Sequence, residues 1–358
     1  MNFYKITSQQ MKIITVLILA ITEFFTCNAQ IITGYVTDEN TGTAISDALV
    51  CFDGTMYGTR TNRNGYFNLD ISSYKSRPVS VCSAGYYTVS FDIETPGKPV
   101  QILLKSKTFT FKATDSLITR AEARQECIKL FRGTFLGKTR NALDCEILNE
   151  ANLNFVIKDS VTLTAFTSEP LQINNKSLGY QIIYYLDQFE LTLKEETFSF
   201  SGTVFFKEDM SVEESNRKKF IKKREQAYLK SRMCFFRSLW ADALEKDGYI
   251  VKSALNEDLT YNQIVFDKGI YGKFMKDYNG NPVSGNEDIP SIYIVFREKE
   301  ATYDSWGRLD RSCITEISVN DDVYFDSTGY FDPASISWRG KLANQRLADL
   351  LPLEYLTD

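Results

Sequence analysis

"GYVTDENTGTAISDALVCFDGTMYGTRTNRNGYFNL", Gly34–Leu69, decides the fold of the first part of the chain. Its apolar residues recur at every second position, so Ala48, Val50 and Phe52 fall on one face of a strand. Between the apolar runs stand turn formers: Asp38, Asn40 and Gly42, then Gly54, then Asn64-Gly65. Asn-Gly is the strongest short hairpin signal because both residues tolerate positive φ. "IITGYV" leads into the stretch, and "YFNLDI", "PVSVCSAGYYTVSFDI" and "KPVQILL" carry the rhythm on to Leu104. Short strands with frequent turns and no helical period predict a seven-stranded β-sandwich over residues 30–106.

The same residues resemble the transthyretin-like (carboxypeptidase regulatory-like) β-sandwich of exported proteins from Bacteroidetes-type bacteria. Gly34, Val36, Asp38, Thr41, Gly42, Ile45, Ala48, Val50, Gly54, Thr55, Gly58, Thr59, Thr61, Gly65 and Phe67 fill its pattern. Asn62 departs from it, standing where that family usually has Asp. The resemblance implies a fold and no activity, because these positions make turns and pack a core.

The composition excludes much chemistry. The chain has 358 residues and no His, which is the commonest general base and metal ligand near neutral pH. Ser-His-Asp triads, Cys-His pairs and HExxH zinc sites are therefore impossible. Carboxylate, tyrosine and Ser-Lys chemistry remain open. A net charge of −5 argues against a general nucleic-acid binder. Twenty-five Phe and twenty Tyr suit half-buried strands and point to a β-rich protein.

Residues 1–29 read as a signal peptide. Lys5 and Lys12 precede the apolar run Ile13–Ile21, and Cys27 and Ala29 sit at the small-residue positions before a cut ahead of Gln30. Met11 offers an alternative start. Export to the periplasm or outer membrane would place Cys51, Cys82, Cys127, Cys145, Cys234 and Cys313 in an oxidising compartment. Cys51–Cys82 and Cys127–Cys145 are the preferred disulfide pairs, with buried free thiols as the alternative.

Residues 107–358 read as an α+β domain with an antiparallel sheet and at least two helices. "RAEARQECIKLFRG" (Arg120–Gly133) predicts a helix. "LNFVIKDSVTLTAF", "GYQIIYYLDQFELTLKEE" and "TFSFSGTVFFKE" predict long strands in a meander, and "SIYIVF" and "CITEISV" later ones. Asn216–Tyr249 reads as one long helix ended by Gly248, and Leu342–Pro352 as a short one stopped by Pro352. "FLGKTRNALDCEILNEANLNF", "LGYQIIYYLDQFEL" and "DPASISWRGKLANQRLADLLPLEY" resemble a segment that follows such sandwiches in Bacteroidetes-type proteins of unassigned function. That likeness brings no catalytic residues.

Local motifs give a partner surface more readily than an active site. Arg217–Arg232 holds eight Lys or Arg against Glu225, with Tyr228, Phe235, Leu239, Trp240 and Ala243 at helical spacing. Arg217, Lys218, Lys222 and Arg224 are candidates for an acidic partner or anionic headgroups, against a solvated helix face. Trp338 and Arg339 suit a protein interface, against packing at the end of a sheet. Asp321, Asp322, Asp326 and Asp332 match no calcium loop and read as turn caps. Glu195–Glu196 and Glu213–Glu214 are sequence neighbours; for the first pair, adjacent strand residues point to opposite faces, so it cannot share one site. Gly137-Lys138-Thr139 lacks the upstream glycine of a phosphate loop.

The expectation is a non-catalytic, exported envelope protein that binds a protein, glycan or lipid partner, with the sandwich as interaction or spacer module. No metal, cofactor, nucleic-acid partner or mature transmembrane segment is expected. The alternatives are an envelope glycan-active enzyme using carboxylates and an accessory of an outer-membrane nutrient receptor. An enzyme should show a deep cleft with converging carboxyls of raised pKa; a binding module should show a shallow apolar patch.

Overall fold

The computed structural model describes residues 30–74, 77–93, 98–195, 197–209, 214–267, 273–275, 291–319, 321–334 and 336–357; the proposed signal peptide, Glu196 and Glu213 lie outside them. The first strands are β1 (Ile31–Asp38), β2 (Leu49–Cys51), β3 (Gly58–Arg60), β4 (Tyr66–Asp70), β5 (Val79–Cys82), β6 (Val89–Phe91) and β7 (Val100–Leu104). They form a β-sandwich of a three-stranded sheet, order β4-β1-β7, and a four-stranded sheet, order β3-β2-β5-β6. Ala48, Val50 and Phe52 are fully buried in its core with Val36, Phe67 and Val79. The Asn64-Gly65 turn does not close a hairpin, because β3 pairs with β2 and β4 pairs with β1. It carries the chain from one sheet to the other. Asn62 makes that turn without a carboxylate: its amide oxygen accepts the Asn64 and Tyr66 N–H groups at 2.9 and 3.1 Å.

The central sheet holds β8 (Ser116–Leu117), β9 (Cys145–Ile147), β10 (Asn154–Lys158), β11 (Thr162–Phe166), β12 (Leu171–Asn175), β13 (Tyr180–Thr192) and β14 (Thr197–Glu208). Its order is β8-β10-β11-β13-β12-β9, with β14 also paired to β13, so β13 is inserted where a simple meander would place β12. Thirteen residues long, β13 reaches β12 with its first half and β11 with its second. Helix α1 (Ala121–Phe135) lays Phe131 and Phe135 on one face, against Phe189 and Tyr184 at ring distances of 4.7 and 4.9 Å.

The other face of the central sheet meets the sandwich. Leu49, Cys51 and Cys82, which point away from the sandwich core, pack with Tyr185 and Phe205. This explains why Leu49–Cys51 and Val79–Cys82 are buried at every position instead of alternately. Polar bonds tighten the join: Gly54 N–H to Val204 O at 3.0 Å, Phe206 N–H to Thr55 O at 2.9 Å and Lys107 Nζ to Leu186 O at 2.6 Å.

The expected long helix is two: α2 (Glu214–Leu229) and α3 (Arg232–Trp240). Ser231 breaks it. Its backbone is extended (φ −100°, ψ 157°) and its hydroxyl accepts the Cys234 N–H at 3.0 Å, an N-cap that starts a new helix. Residues after Trp240 run as turns into β15 (Tyr249–Ser253). The remaining strands are β16 (Val265–Asp267), β17 (Lys273–Met275), β18 (Ser291–Arg297), β19 (Thr315–Val319), β20 (Val323–Phe325) and β21 (Ile336–Gly340). They form a four-stranded sheet, β15-β18-β19-β21, and a three-stranded one, β16-β17-β20. A second core lies between them and α3, centred on Phe235, Phe236, Leu239, Tyr293 and Phe325. The expected C-terminal helix is two 3₁₀ turns, Leu342–Asn344 and Leu347–Asp349, because Arg346 between them is extended (φ −122°, ψ −178°).

Candidate functional site

Where the sandwich, the central sheet and the start of α3 meet, they line a solvent-open cavity of about 520 Å³. That is the size of a small-molecule site. The sandwich contributes Asp53, Arg77, Ser80, Thr88 and Ser90; the central sheet contributes Asp187, Thr203, Val204 and Phe206. Ser231, Arg232 and Met233, the loop Gly329–Pro333 and the C-terminal Gln345, Leu350, Leu351 and Leu353 complete it.

Each polar group is held by local structure. β13 and β14 shift register between Leu186 and Gln188, so Asp187 lies in a bulge. Its carboxylate accepts the Thr88 N–H at 3.1 Å and lies 3.7 Å from Lys107 Nζ. Opposite the bulge, Gly202 has φ +155°, and a Cβ there would stand 2.1 Å from Tyr185 O. Only glycine fits.

Asp53 accepts the Val204 N–H at 2.8 Å. Asp53 keeps solvent exposure, and desolvation by the surrounding protein outweighs the bonds from Val204 and Gly54 to push its carboxyl up to about 6.

Arg77 is 4% exposed. Its Nε donates to Asp326 Oδ2 at 2.8 Å, Nη2 donates to Thr328 Oγ1, and Nη1 has no partner. The guanidinium lies 5.0 Å from the ring centroids of both Tyr74 and Tyr330. Among the described residues Arg232 hydrogen-bonds to Gln345, its N–H to Oε1 at 3.1 Å, its Nε to Oε1 at 3.2 Å and its Nη2 to the carbonyl at 3.3 Å, and its guanidinium lies 5.7 Å from the Trp338 ring centroid. No carboxylate among the described residues pairs with it. Burial, with Arg346 adding like charge, pulls its pKa down to about 10.

The sequence-selected residues fall elsewhere. Arg217, Lys218 and Lys222 are exposed on α2. Arg224 is committed to the fold, donating to Leu178 O and Gly179 O and to Glu208 at 3.0 Å, over the Tyr180 ring at 4.0 Å. Trp338 is half-buried and packs edge-on against Phe236 and Phe331 at 6.0 and 5.6 Å, while the side chain of Arg339 is 84% exposed and 3.5 Å from Glu316. The turn-cap reading of the aspartates matches the bonds they make: Asp326 and Asp332 accept the Thr328 and Ala334 N–H groups at 2.8 and 2.9 Å. All six described cysteines are buried free thiols. Cys51 and Cys82 lie on paired strands, and the neighbouring Cys82 thiol together with burial holds the Cys51 pKa above its ordinary value. Cys127 and Cys145 are both in the α1 core, each thiol raised by burial.

Sequence reasoning did not find the cavity residues. Two signals were present: the unbroken apolar run Ala48–Phe52, too continuous for a strand with one wet face, and the runs Ile182–Leu186 and Val204–Phe206 that meet it.

Residues 32–114 match the family model of the CarboxypepD_reg-like domain. No curated protein matches the chain. A crystal structure from Bacteroides fragilis NCTC 9343, described as a "putative membrane-associated protein of unknown function", is 11% identical, covering 87% of this chain and 94% of that one, with a TM-score of 0.17. A likeness at that score carries no weight for fold or function.

Proposed function

We propose that this chain is an exported, non-catalytic binding protein of the cell envelope, and that it holds a small ligand in the cavity between its sandwich and the rest of the chain. The observation that carries this reading is the composition of the cavity wall. Residues far apart in sequence, from Asp53 to Leu353, line one space, and the sandwich supplies a full side of it. A regulatory-like domain with no catalytic set of its own suits that role. Export rests on the basic and apolar leader within residues 1–29. Among the described residues no helix is long and apolar enough to cross a membrane. The exposed bases Arg217, Lys218, Lys222 and Arg339 are then the surface offered to an acidic envelope partner.

The test is native mass spectrometry of the mature chain recovered from its own envelopes under gentle conditions. A discrete adduct, lost when Val204→Trp fills the cavity, supports the reading. The bare polypeptide mass in every preparation contradicts it.

A second reading has one observation in its favour. Asp53, with its carboxyl near 6, is poised as a general acid of the kind a glycan-active enzyme needs. Hydrolysis of any envelope glycan that vanishes in Asp53→Asn would replace the binding reading with this one.

A further inference from the structure

One end of the cavity is the N-terminus of α3, where Ser231, Arg232 and Met233 line the wall. The first turn of a helix carries partial positive charge; here the Arg232 N–H goes to Gln345 Oε1 at 3.1 Å and the Cys234 N–H to Ser231 Oγ at 3.0 Å, which leaves the Met233 N–H between them. Two guanidinium groups add to it. Arg232 has no acidic partner among the described residues; Gln345 gives it neutral oxygens only. Arg77 lines the same cavity with its side chain 3% exposed, its charge met by Asp326 at 2.8 Å and its Nη1 unpartnered. The two walls are adjacent, since Arg77 bonds Thr328 and the next residue, Gly329, abuts Met233. Arg232 is partly buried and has no counter-charge among the described residues, so a bound anion would stabilise it.

Other carboxylates line the cavity, and none of them pairs with Arg232; Asp332 and Asp53 act on Tyr330, beside Arg77. Asp187 lies by Lys107, Asp53 is bound to the Val204 amide, and Asp332 caps Ala334. Beside the basic end the wall is apolar: Met233, Leu350, Leu351 and Leu353.

We propose that the cavity binds a carboxylate with an apolar tail, its carboxylate at Arg232 and the α3 N-terminus and its tail along Met233, Leu351 and Leu353. This rests on the reading of the cavity as a ligand site, and it specifies the ligand's chemistry.

The test titrates the mature chain with decanoate and with 1-decanol, which shares the tail and lacks the charge. Decanoate binds at least tenfold more tightly, and Arg232→Gln removes that difference while decanol binding stays unchanged. Because Arg232 also bonds Gln345, a measurement on the unaltered protein stands beside the variant. The carboxyl carbon of ¹³C-labelled decanoate, followed by NMR, titrates at least one pH unit lower when bound than when free. Equal binding of both probes, or an unmoved titration, overturns the proposal and leaves the cavity a ligand site. Failure of both probes, in a chain that carries another molecule out of the envelope, overturns the proposal alone. Failure of both in a chain that carries nothing removes the ligand-site reading as well.

Discussion

Asp326→Ala tests how firmly the sandwich is joined to the rest of the molecule. Asp326 accepts from Arg77, 249 residues away in sequence, at 2.8 Å, and the two side chains are 12% and 3% exposed. Removing the carboxylate leaves a buried guanidinium that already has one orphan nitrogen, Nη1. Breaking a buried pair from one side costs about 3–5 kcal/mol. Against a total stability of roughly 5–15 kcal/mol, that is a large fraction. The two tyrosine rings that flank the guanidinium do so with or without the carboxylate, so they leave that difference unchanged. The expected loss is therefore about 3–5 kcal/mol, read as a lower urea midpoint at unchanged slope. The double variant Arg77→Met/Asp326→Leu, which removes both charges, should recover most of it. A loss below about 1 kcal/mol for Asp326→Ala, or a double variant no better than the single one, would refute the reasoning, because the pair would then behave as a solvated surface contact.

Three further outcomes follow from the same geometry. The Asp53 carboxyl is raised from its ordinary 3.8 to about 6, so between those values the folded state binds more protons than the unfolded one and stability falls as pH rises. A full two-unit gap corresponds to about 3 kcal/mol, and exposure of Asp53 to cavity solvent reduces the expected fall to about 1 kcal/mol; Asp53→Asn should flatten it in urea titrations at pH 4 and pH 7. Gly329 has φ +83°, and its Cβ would meet Met233 Cγ at 2.7 Å and Met233 O at 2.8 Å, so Gly329→Val should lower the melting temperature by several degrees, about 2 kcal/mol or more. Oxidation of the purified chain should join Cys51 to Cys82, which lie on paired strands, and leave Cys127 and Cys145 alkylatable after unfolding, as counted by mass spectrometry.

The sandwich was legible in the sequence because its evidence is local: alternate apolar residues and turn formers within a few positions of one another. The alternation Ala48, Val50, Phe52 is the buried face observed. The Asn64-Gly65 pair marked a turn and not its partners, since strand pairing is settled between β1 and β4, which are far apart in sequence. The break at Ser231 was readable as a cap only with the knowledge that the chain turns there, because Lys230 and Arg232 on either side are good helix formers. The cavity was illegible for a stronger reason. Asp53, Asp187, Arg232 and Leu353 share no spacing, and only tertiary packing brings them around one space. The basic run on α2 drew attention instead, yet Arg224 within it serves Leu178, Gly179 and Glu208.

The central claim is that the sandwich and the C-terminal segment are two sides of one ligand site. Amide hydrogen exchange measures this directly, comparing the mature chain as recovered from envelopes with the same chain unfolded, freed of small molecules and refolded. The account predicts slower exchange in the recovered form at residues 77–90 and at residues 345–353 together. Identical exchange in the two forms, or protection confined to one of those walls, would contradict it.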